Sequence, residues 1–280
     1  MKNKKIRARL SLIAIVLLLT IGLIYACFPF LWMASNSVKS NNEIFQQPPK
    51  LLPRVLTLST YREILQTPAK LQFFINSYIV SFSATALTLI IAIFAAYGFS
   101  RYDFRLKKFL NVFIISSQGV PTMTLLIPYF GLVVAMKLYD SYWALILTYL
   151  VFTLPYAITM MTGYFNTLPR ELDEAVQIDG GSAARCLWRI LVPISIPGII
   201  ATGIYTFLLC WNEYLFALTL TKSTEMRTVP VGIQLLMGEH TYEWNEMMAM
   251  SVLGSLPVVI IYMFAQKYFL AGLTSGAVKS

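Results

Sequence analysis

Residues Phe73 to Ser100 read FFINSYIVSFSATALTLIIAIFAAYGFS, without a single Asp, Glu, Lys or Arg. A bilayer core about 30 Å thick is crossed by about 20 mostly apolar residues in a helix, so this stretch is long enough to span one. Its apolar residues fall on most sides of the helix, which therefore faces lipid or other helices and not water. Five more stretches share the property: Leu10–Met33, Phe109–Ala135, Ser141–Thr162, Ile194–Leu220 and Met247–Leu270. The pattern predicts an all-α membrane protein with six transmembrane helices in one domain, residues 1–280.

The composition of the 280 residues agrees. Hydrophobic residues make up 57% and charged residues 12%, against roughly 45–50% and about 25% in a soluble domain. The three cysteines, Cys27, Cys186 and Cys210, lie far apart, unlike a disulfide framework or a zinc site. A net charge of +9 would suit nucleic acid if the cations clustered for phosphates. Instead Lys2, Lys4, Lys5, Arg7 and Arg9 precede the first apolar run and most others flank later runs, as in chains that orient themselves in a membrane by charge.

With the N-terminus in the cytoplasm, the inside segments hold Lys2, Lys4, Lys5, Arg7, Arg9, Arg101, Arg105, Lys107, Lys108, Arg170, Arg185, Arg189, Lys267 and Lys279, 14 of the 22 basic residues. Of the 8 outside, five fall in the outer loop 34–72. The excess places both termini in the cytoplasm. The segment 101–108 is the clearest witness, with Arg101, Arg105, Lys107 and Lys108 against Asp103. The first span resembles a signal peptide, and Ile24-Tyr25-Ala26-Cys27 sketches a cleavage site. The apolar run continues past Cys27 to Met33, and Tyr25 is bulky where such sites want a small residue, so retention is expected. Prolines 121, 128, 155 and 257 fall inside spans, where they kink helices.

The chemistry of an enzyme or an autonomous pump is missing. The nearest approach to a phosphate loop, Gly272-Leu273-Thr274-Ser275-Gly276-Ala277-Val278-Lys279-Ser280, does not place Lys after Gly. His240 stands in an outer loop without a second ligand. Charged residues within spans are almost absent, Glu213 being the main exception, whereas ion-driven carriers need such groups. Energy for uphill transport would enter from another chain. No metal or cofactor is expected in this one.

Between spans four and five, residues 166–193 depart from the apolar pattern. Pro169 suits a first helical turn, Glu171, Asp173 and Glu174 place negative charge at its positive end, and Gly180-Gly181 supplies a stop. A second short helix can start at Ser182 and reach Pro193. Leu172, Ala175, Val176 and Asp179 are expected on one side of the first helix, where they could seat in a partner's groove. An amphipathic connector lying on lipid headgroups is the other reading, and the residues alone leave both open.

The string Glu174-Ala175-Val176, three residues, Gly180, nine residues, Ile190-Leu191-Val192-Pro193 resembles the E-A-A-x3-G-x9-I-x-L-P loop of permease subunits in bacterial ATP-binding-cassette importers. It departs at Val176 and Val192, where the pattern has Ala and Leu, and both changes stay apolar. Ser35-Asn36-Ser37-Val38-Lys39, Pro48-Pro49, Leu52-Pro53, Asn76-Ser77, Trp211-Asn212-Glu213-Tyr214 and Gly272 to Lys279 look like the carbohydrate-uptake branch, more narrowly the maltose-type second permease. The resemblance covers nearly the whole chain. It implies a type I importer permease fold in the bacterial inner membrane, with 166–193 as a cytoplasmic loop docking on the ATPase. Glu174 would be the polar contact, Ala175 the close-packing position and Gly180 the turn, with Asp179 and Pro193 in the same coupling set. The implied partners are a second permease subunit, two copies of an ATPase holding ATP and magnesium, an extracytoplasmic solute-binding protein, and membrane lipid. Nucleic acid is not among them.

The implied cargo is a sugar or oligosaccharide. A permease for glycerol phosphate or polyols would share these features, and an ion-coupled secondary carrier is the remaining alternative. Trp211, Asn212, Glu213 and Tyr214 are candidates to line the translocation path, the rings covering sugar faces and the polar groups taking hydroxyls. The competing reading is an interfacial aromatic anchor whose polar groups turn toward a neighbouring helix.

Overall fold

In the computed structural model, residues 2–238 and 243–277 are described, with side chains for 10–238, 243–264 and Gln266; His240 and Lys279 lie outside the described residues. Among the described residues four helices are long and apolar enough to cross a membrane, and two bent helix pairs bring the number to six if each pair is one span. The chain divides into two compact units, residues 1–67 with 233–255, and residues 68–232 with 256–280.

In the first unit, α1 (Lys2–Ser37) is one unbroken helix. Its residues 10–31 are exposed on every side, as befits a helix surrounded by lipid or by another chain. Beyond it the chain forms α2 (Asn41–Ile44) and α3 (Ser59–Gln66). Lys39 is 2% exposed. Its ammonium donates to Asn36 Oδ1 at 2.9 Å and to the Lys50 carbonyl at 2.6 Å, and lies 5.1 Å from the centre of the Trp32 ring. These contacts compensate the loss of water around a buried cation.

The second unit is built on α4 (Pro68–Arg101), so the loop expected over 34–72 is shortened at both ends by the helices that flank it. Next come α5 (Lys107–Ser117), α6 (Leu126–Ala135), α7 (Tyr142–Asn166), α8 (Glu171–Ile178), α9 (Ala183–Cys186), α10 (Val192–Ile194), α11 (Ile196–Trp211), α12 (Leu215–Leu220) and α13 (Val229–Leu235). The last helix, α14 (Trp244–Ala277), contributes residues 244–255 to the first unit and the rest to the second. Small residues let α4 and α7 approach closely: Ala84, Ala92, Ala96 and Ala157 are fully buried, as small side chains are at helix interfaces in membranes. Between the two helices Thr88 and Thr153 share a hydrogen bond of 2.8 Å. Thr153 gives its own proton to the Tyr149 carbonyl, which makes Thr88 the donor. Gly198 brings α11 against α7, where a Cβ would stand 2.5 Å from the Tyr164 ring.

Spans three and five differ from the single helices expected. The pair Lys107–Ser117 and Thr122–Ala135 bends by 100°. The break falls at Pro121, which has no N–H to donate and keeps the residue before it out of the helical region. The pair Ala183–Ile194 and Ile196–Trp211 bends by 78°. There Pro193, which has no N–H, follows the π-helical turn Leu187–Leu191, and Pro197 stands in the first turn of α11, where its missing N–H costs no helical bond. This bend falls at the boundary expected between the short helix ending at Pro193 and span five; inside the expected span Ile194–Leu220 the interruption is at 212–214, between α11 and α12.

The segment after α12 is tied to α4 and α7. Asn76, fully buried, donates to the Glu225 and Arg227 carbonyls at 2.7 and 2.8 Å and accepts from Gln72 at 2.8 Å and the Tyr142 hydroxyl at 2.7 Å. Ser77 Oγ accepts from the Val229 amide. Asp140 adds a clamp, its Oδ1 receiving the amides of Lys222 and Ser223 at 2.8 and 3.1 Å. Burial works to raise the Asp140 pKa, and the Lys222 and Ser223 N–H groups outweigh it and hold the carboxyl below its usual range.

Candidate functional site

The acidic first turn of α8, Glu171, Asp173 and Glu174, sits at the positive end of that helix, where such charge is favourable. The helix ends in a paired turn: Gly181 N–H donates to the Val176 carbonyl at 2.7 Å and Gly180 N–H to the Gln177 carbonyl at 3.0 Å. Gly180 has φ +73°, a left-handed conformation that glycine adopts without the penalty of a Cβ. Ser182 then opens α9, its hydroxyl accepting from the Arg185 amide at 3.3 Å.

The eight residues of α8 present two faces. Leu172 is half-buried and Val176 buried; both join the core formed by Ala92, Ala96, Ala157, Met161 and Phe165 at the ends of α4 and α7, together with Cys186, Leu187 and Leu191. Glu171, Glu174, Ala175 and Ile178 form the opposite stripe and are all exposed, Ile178 to 86%. The expected docking face of Leu172, Ala175, Val176 and Asp179 is thus divided. Two of its members hold the helix to its own chain, and Ala175 and Asp179 stay open. Ile178, spaced four residues from Glu174, belongs with the open face, and helical spacing alone would have placed it there. Pro193 is also exposed.

One ion pair fixes α8 to the long helices. Arg101, the last residue of α4, directs its Nε to Asp173 Oδ2 at 2.8 Å, with the two side chains 6% and 14% exposed. The same guanidinium donates to Ser100 Oγ at 3.1 Å and to the Phe165 and Leu168 carbonyls at 3.0 and 3.3 Å. The Phe165 carbonyl already accepts the Leu168 amide at 3.1 Å, so the guanidinium adds a second, charged donor at the C-terminal end of α7, where a cation is favourable. Asp173 Oδ1 accepts from the Tyr97 hydroxyl and the Cys186 thiol, both at 3.4 Å. Ser100 Oγ donates to Asn166 Oδ1 at 2.7 Å, and Arg170 Nη2 reaches the Ser100 carbonyl at 3.3 Å. Arg101 and Asp173 carry no local signal of pairing, because 72 residues separate them; in the sequence one counts as a topology charge and the other as a first-turn acid.

The second candidate cluster lies at the α11–α12 interruption. Trp211 is buried, 4.9 Å from the Tyr78 ring and stacked on Phe207 at 5.5 Å. Glu213 accepts the Phe216 and Ala217 amides at 2.8 and 3.0 Å and the Tyr149 hydroxyl at 2.8 Å. It caps the start of α12 while binding a neighbouring helix, so its oxygens are engaged. Tyr214 packs beside the core around Ala84, Leu145 and Tyr149. Asn212 is the exposed member, and its amide donates to the Leu208 carbonyl.

Residues 88–275 match the family described as "binding-protein-dependent transport system inner membrane component". The chain is 35% identical over 270 residues to the sulfoquinovosyl glycerol transport system permease protein SmoH of Agrobacterium fabrum, covering 96% of this chain and 93% of that one. It is 34% identical over 283 residues to the trehalose/maltose transport system permease protein MalG of Thermococcus litoralis, covering 100% and 99%. Among solved structures, a chain of a bacterial ABC transporter involved in the import of the acidic polysaccharide alginate shares the fold with a TM-score of 0.82. Identity there is 22%, over 93% of this chain and 97% of the other.

Proposed function

This chain belongs to the binding-protein-dependent transport system inner membrane components, and from that premise we propose that it carries a sugar or short oligosaccharide inward as half of a paired permease. It is the transmembrane subunit of an importer. The carbohydrate reading is supported by the relatives whose names give sulfoquinovosyl glycerol and trehalose or maltose as their cargo. Its partners in this reading are a second permease subunit, an extracytoplasmic binding protein that delivers the solute, and two ATPase subunits that hold ATP and magnesium. Both termini and the 166–193 loop face the cytoplasm, in line with the distribution of Lys and Arg.

The observation that carries the mechanism is the two-faced helix α8. Its exposed stripe of Glu171, Glu174, Ala175 and Ile178 suits a groove of the ATPase, an apolar contact flanked by carboxylates. Its inner face is locked to α4 and α7 by Leu172, Val176 and the Arg101–Asp173 pair. A displacement applied at the stripe is therefore passed to the ends of two packed membrane helices as a rigid-body movement. Closure of the ATPases would carry α8 with it and turn the bundle from inward-facing to outward-facing. Asn212, exposed where α11 breaks, is the member of the 211–214 cluster available to a hydroxylated solute, with Trp211, Glu213 and Tyr214 shaping its surroundings.

The test is reconstitution of the assembled importer in proteoliposomes, with ATP hydrolysis and uptake measured against a panel of sugars and the binding protein. At least one sugar should stimulate both activities, and Gly180→Trp should abolish uptake while the chain still inserts. Normal uptake by Gly180→Trp would overturn docking through α8. Stimulation by polyols or glycerol phosphate alone would overturn the carbohydrate reading.

A further inference from the structure

Two cavities open between the same pair of helices, α5 and α7, and their chemistry differs sharply. One, of about 480 Å³, is lined by Arg105, Lys107, Lys108 and Arg170 together with Asn111 and Asn166. Lys107 is ion-paired to Asp103 at 2.8 Å, and no Asp or Glu is among the described residues that line the cavity. Thr162 also lines this cavity, and its hydroxyl has no hydrogen-bond partner among the described residues. The other cavity, of about 560 Å³, is lined by Phe113, Ile114, Val151, Leu154 and Ile158 among others, almost all apolar. The two are consecutive along the helices: Asn111 and Ile114 are one turn apart on α5, and Thr162 and Ile158 one turn apart on α7.

We propose that this groove binds an anionic phospholipid, its headgroup phosphate among Arg105, Lys108 and Arg170 and one acyl chain along Phe113, Leu154 and Ile158. Three arguments select that occupant. The basic end matches a phosphate, the charge that clusters of Lys and Arg beside membrane helices recruit. The apolar run from Leu150 to Ile158 on α7 extends about 12 Å at the helical rise, comparable to the roughly 15 Å of one leaflet's hydrocarbon, and a free phosphate would have no use for it. The basic end also lies at the termini of α4 and α7, where a span meets the headgroups. Gln118 holds α5 to α7, its amide donating to Thr159 Oγ1 at 3.2 Å, so the groove has fixed walls. The inference needs only that the chain spans a bilayer, so it stands apart from the importer reading.

The test uses the assembled importer in nanodiscs of phosphatidylcholine and phosphatidylglycerol, with the retained lipid quantified by mass spectrometry after extraction, and uptake assayed in parallel. Phosphatidylglycerol should be retained in preference to phosphatidylcholine, and the variant Arg105→Gln/Lys108→Gln should lower that preference about fivefold for each cation removed. Equal retention of the two lipids, or an unchanged preference in the double variant, would overturn the proposal. Loss of the preference in excess inorganic phosphate would also overturn it, in favour of a free-phosphate site. A benzophenone side chain at Phe113 should give an adduct of lipid mass; cross-linking to the second permease subunit would show that protein covers the groove and would equally overturn it. Uptake that stays normal while lipid preference is lost separates failure of this site from failure of transport.

Discussion

Replacing Arg101 by Met removes a charge from the junction of α4, α7 and α8 while keeping most of the side-chain volume. Asp173 is then left with two long contacts, from Tyr97 and Cys186 at 3.4 Å; the Leu168 carbonyl loses the guanidinium, while the Phe165 carbonyl keeps the Leu168 amide. Both partners are well under one-third exposed, so solvent screening does not dilute the effect as it does at a surface pair. Stranding one member of a buried pair costs about 3–5 kcal/mol. That loss falls on the attachment of α8, because the core of α4 on α7 is held by Ala84, Ala92, Ala157 and the Thr88–Thr153 bond, none of which involves Arg101. At about 1.4 kcal/mol per tenfold, the amides of 171–181 should exchange with solvent faster by roughly two to three and a half powers of ten, while those of α4 and α7 near Thr88 and Thr153 stay protected. The double variant Arg101→Met/Asp173→Leu should regain much of the loss, since replacing both members of a buried pair by apolar groups is often close to neutral. Hydrogen exchange read by mass spectrometry on the purified importer measures this. Unchanged exchange at 171–181 in Arg101→Met would refute the claim that the pair anchors α8, and equal acceleration throughout α4 and α7 would refute its locality.

Asn76→Leu should lower the thermal unfolding midpoint of the purified protein by the equivalent of about 1–3 kcal/mol, because two carbonyls, a glutamine amide and a tyrosine hydroxyl lose a common partner; an unchanged midpoint would contradict that hub. Gly180→Ala meets no neighbour within 4 Å but must adopt φ +73°, a strain of about 1–2 kcal/mol. At Gly181 an added Cβ would run into the Val176 side chain and lie 2.9 Å from its carbonyl. Gly181→Ala should therefore disturb the core contact of Val176 where Gly180→Ala disturbs only the turn, a difference readable in exchange at 176–181. Asp140 has its folded pKa below its unfolded one, so its contribution is complete above the ordinary carboxylate range and is lost as pH falls through the lowered folded value. Amide protection at Lys222 and Ser223 should accordingly persist through neutral and mildly acidic pH and vanish only in strong acid; Asp140→Asn should weaken it at neutral and mildly acidic pH and leave no difference in strong acid.

Hydropathy made the helical class and the approximate spans legible, because residues 73–100 or 10–33 leave a chain in lipid no other way to satisfy its backbone. The breaks were less legible. Pro121, Pro193 and Pro197 are visible, but whether a proline gives a kink or a bend of 100° depends on what the freed backbone groups meet, which is a tertiary matter. The turn at Gly180-Gly181 and the start at Ser182 could be read from local chemistry alone. The division of α8 into an inner and an outer face could not, since Leu172, Ala175 and Val176 are all compatible with either, and the core beneath them comes from α4 and α7. The Arg101–Asp173 pair and the Asn76 hub escaped for the same reason: apart from Gln72, one turn from Asn76, their partners are distant in sequence, and long-range polar pairing has no spacing to recognise. In the cluster Trp211-Asn212-Glu213-Tyr214, residue type suggested a solute contact, and hydrogen bonding assigns Glu213 to a helix cap and to Tyr149.

The most direct measurement is site-directed cross-linking between α8 and the ATPase in the assembled importer. With Cys27 replaced by Ser and the buried Cys186 and Cys210 kept, one cysteine introduced at Ala175 or at Ile178, both on the exposed stripe, should cross-link to the ATPase subunit, with a yield that changes when ATP binds. Cysteines at Leu172 and Val176 should not cross-link. Capture of the ATPase from Leu172 or Val176, or from neither side of the helix, would contradict coupling through α8.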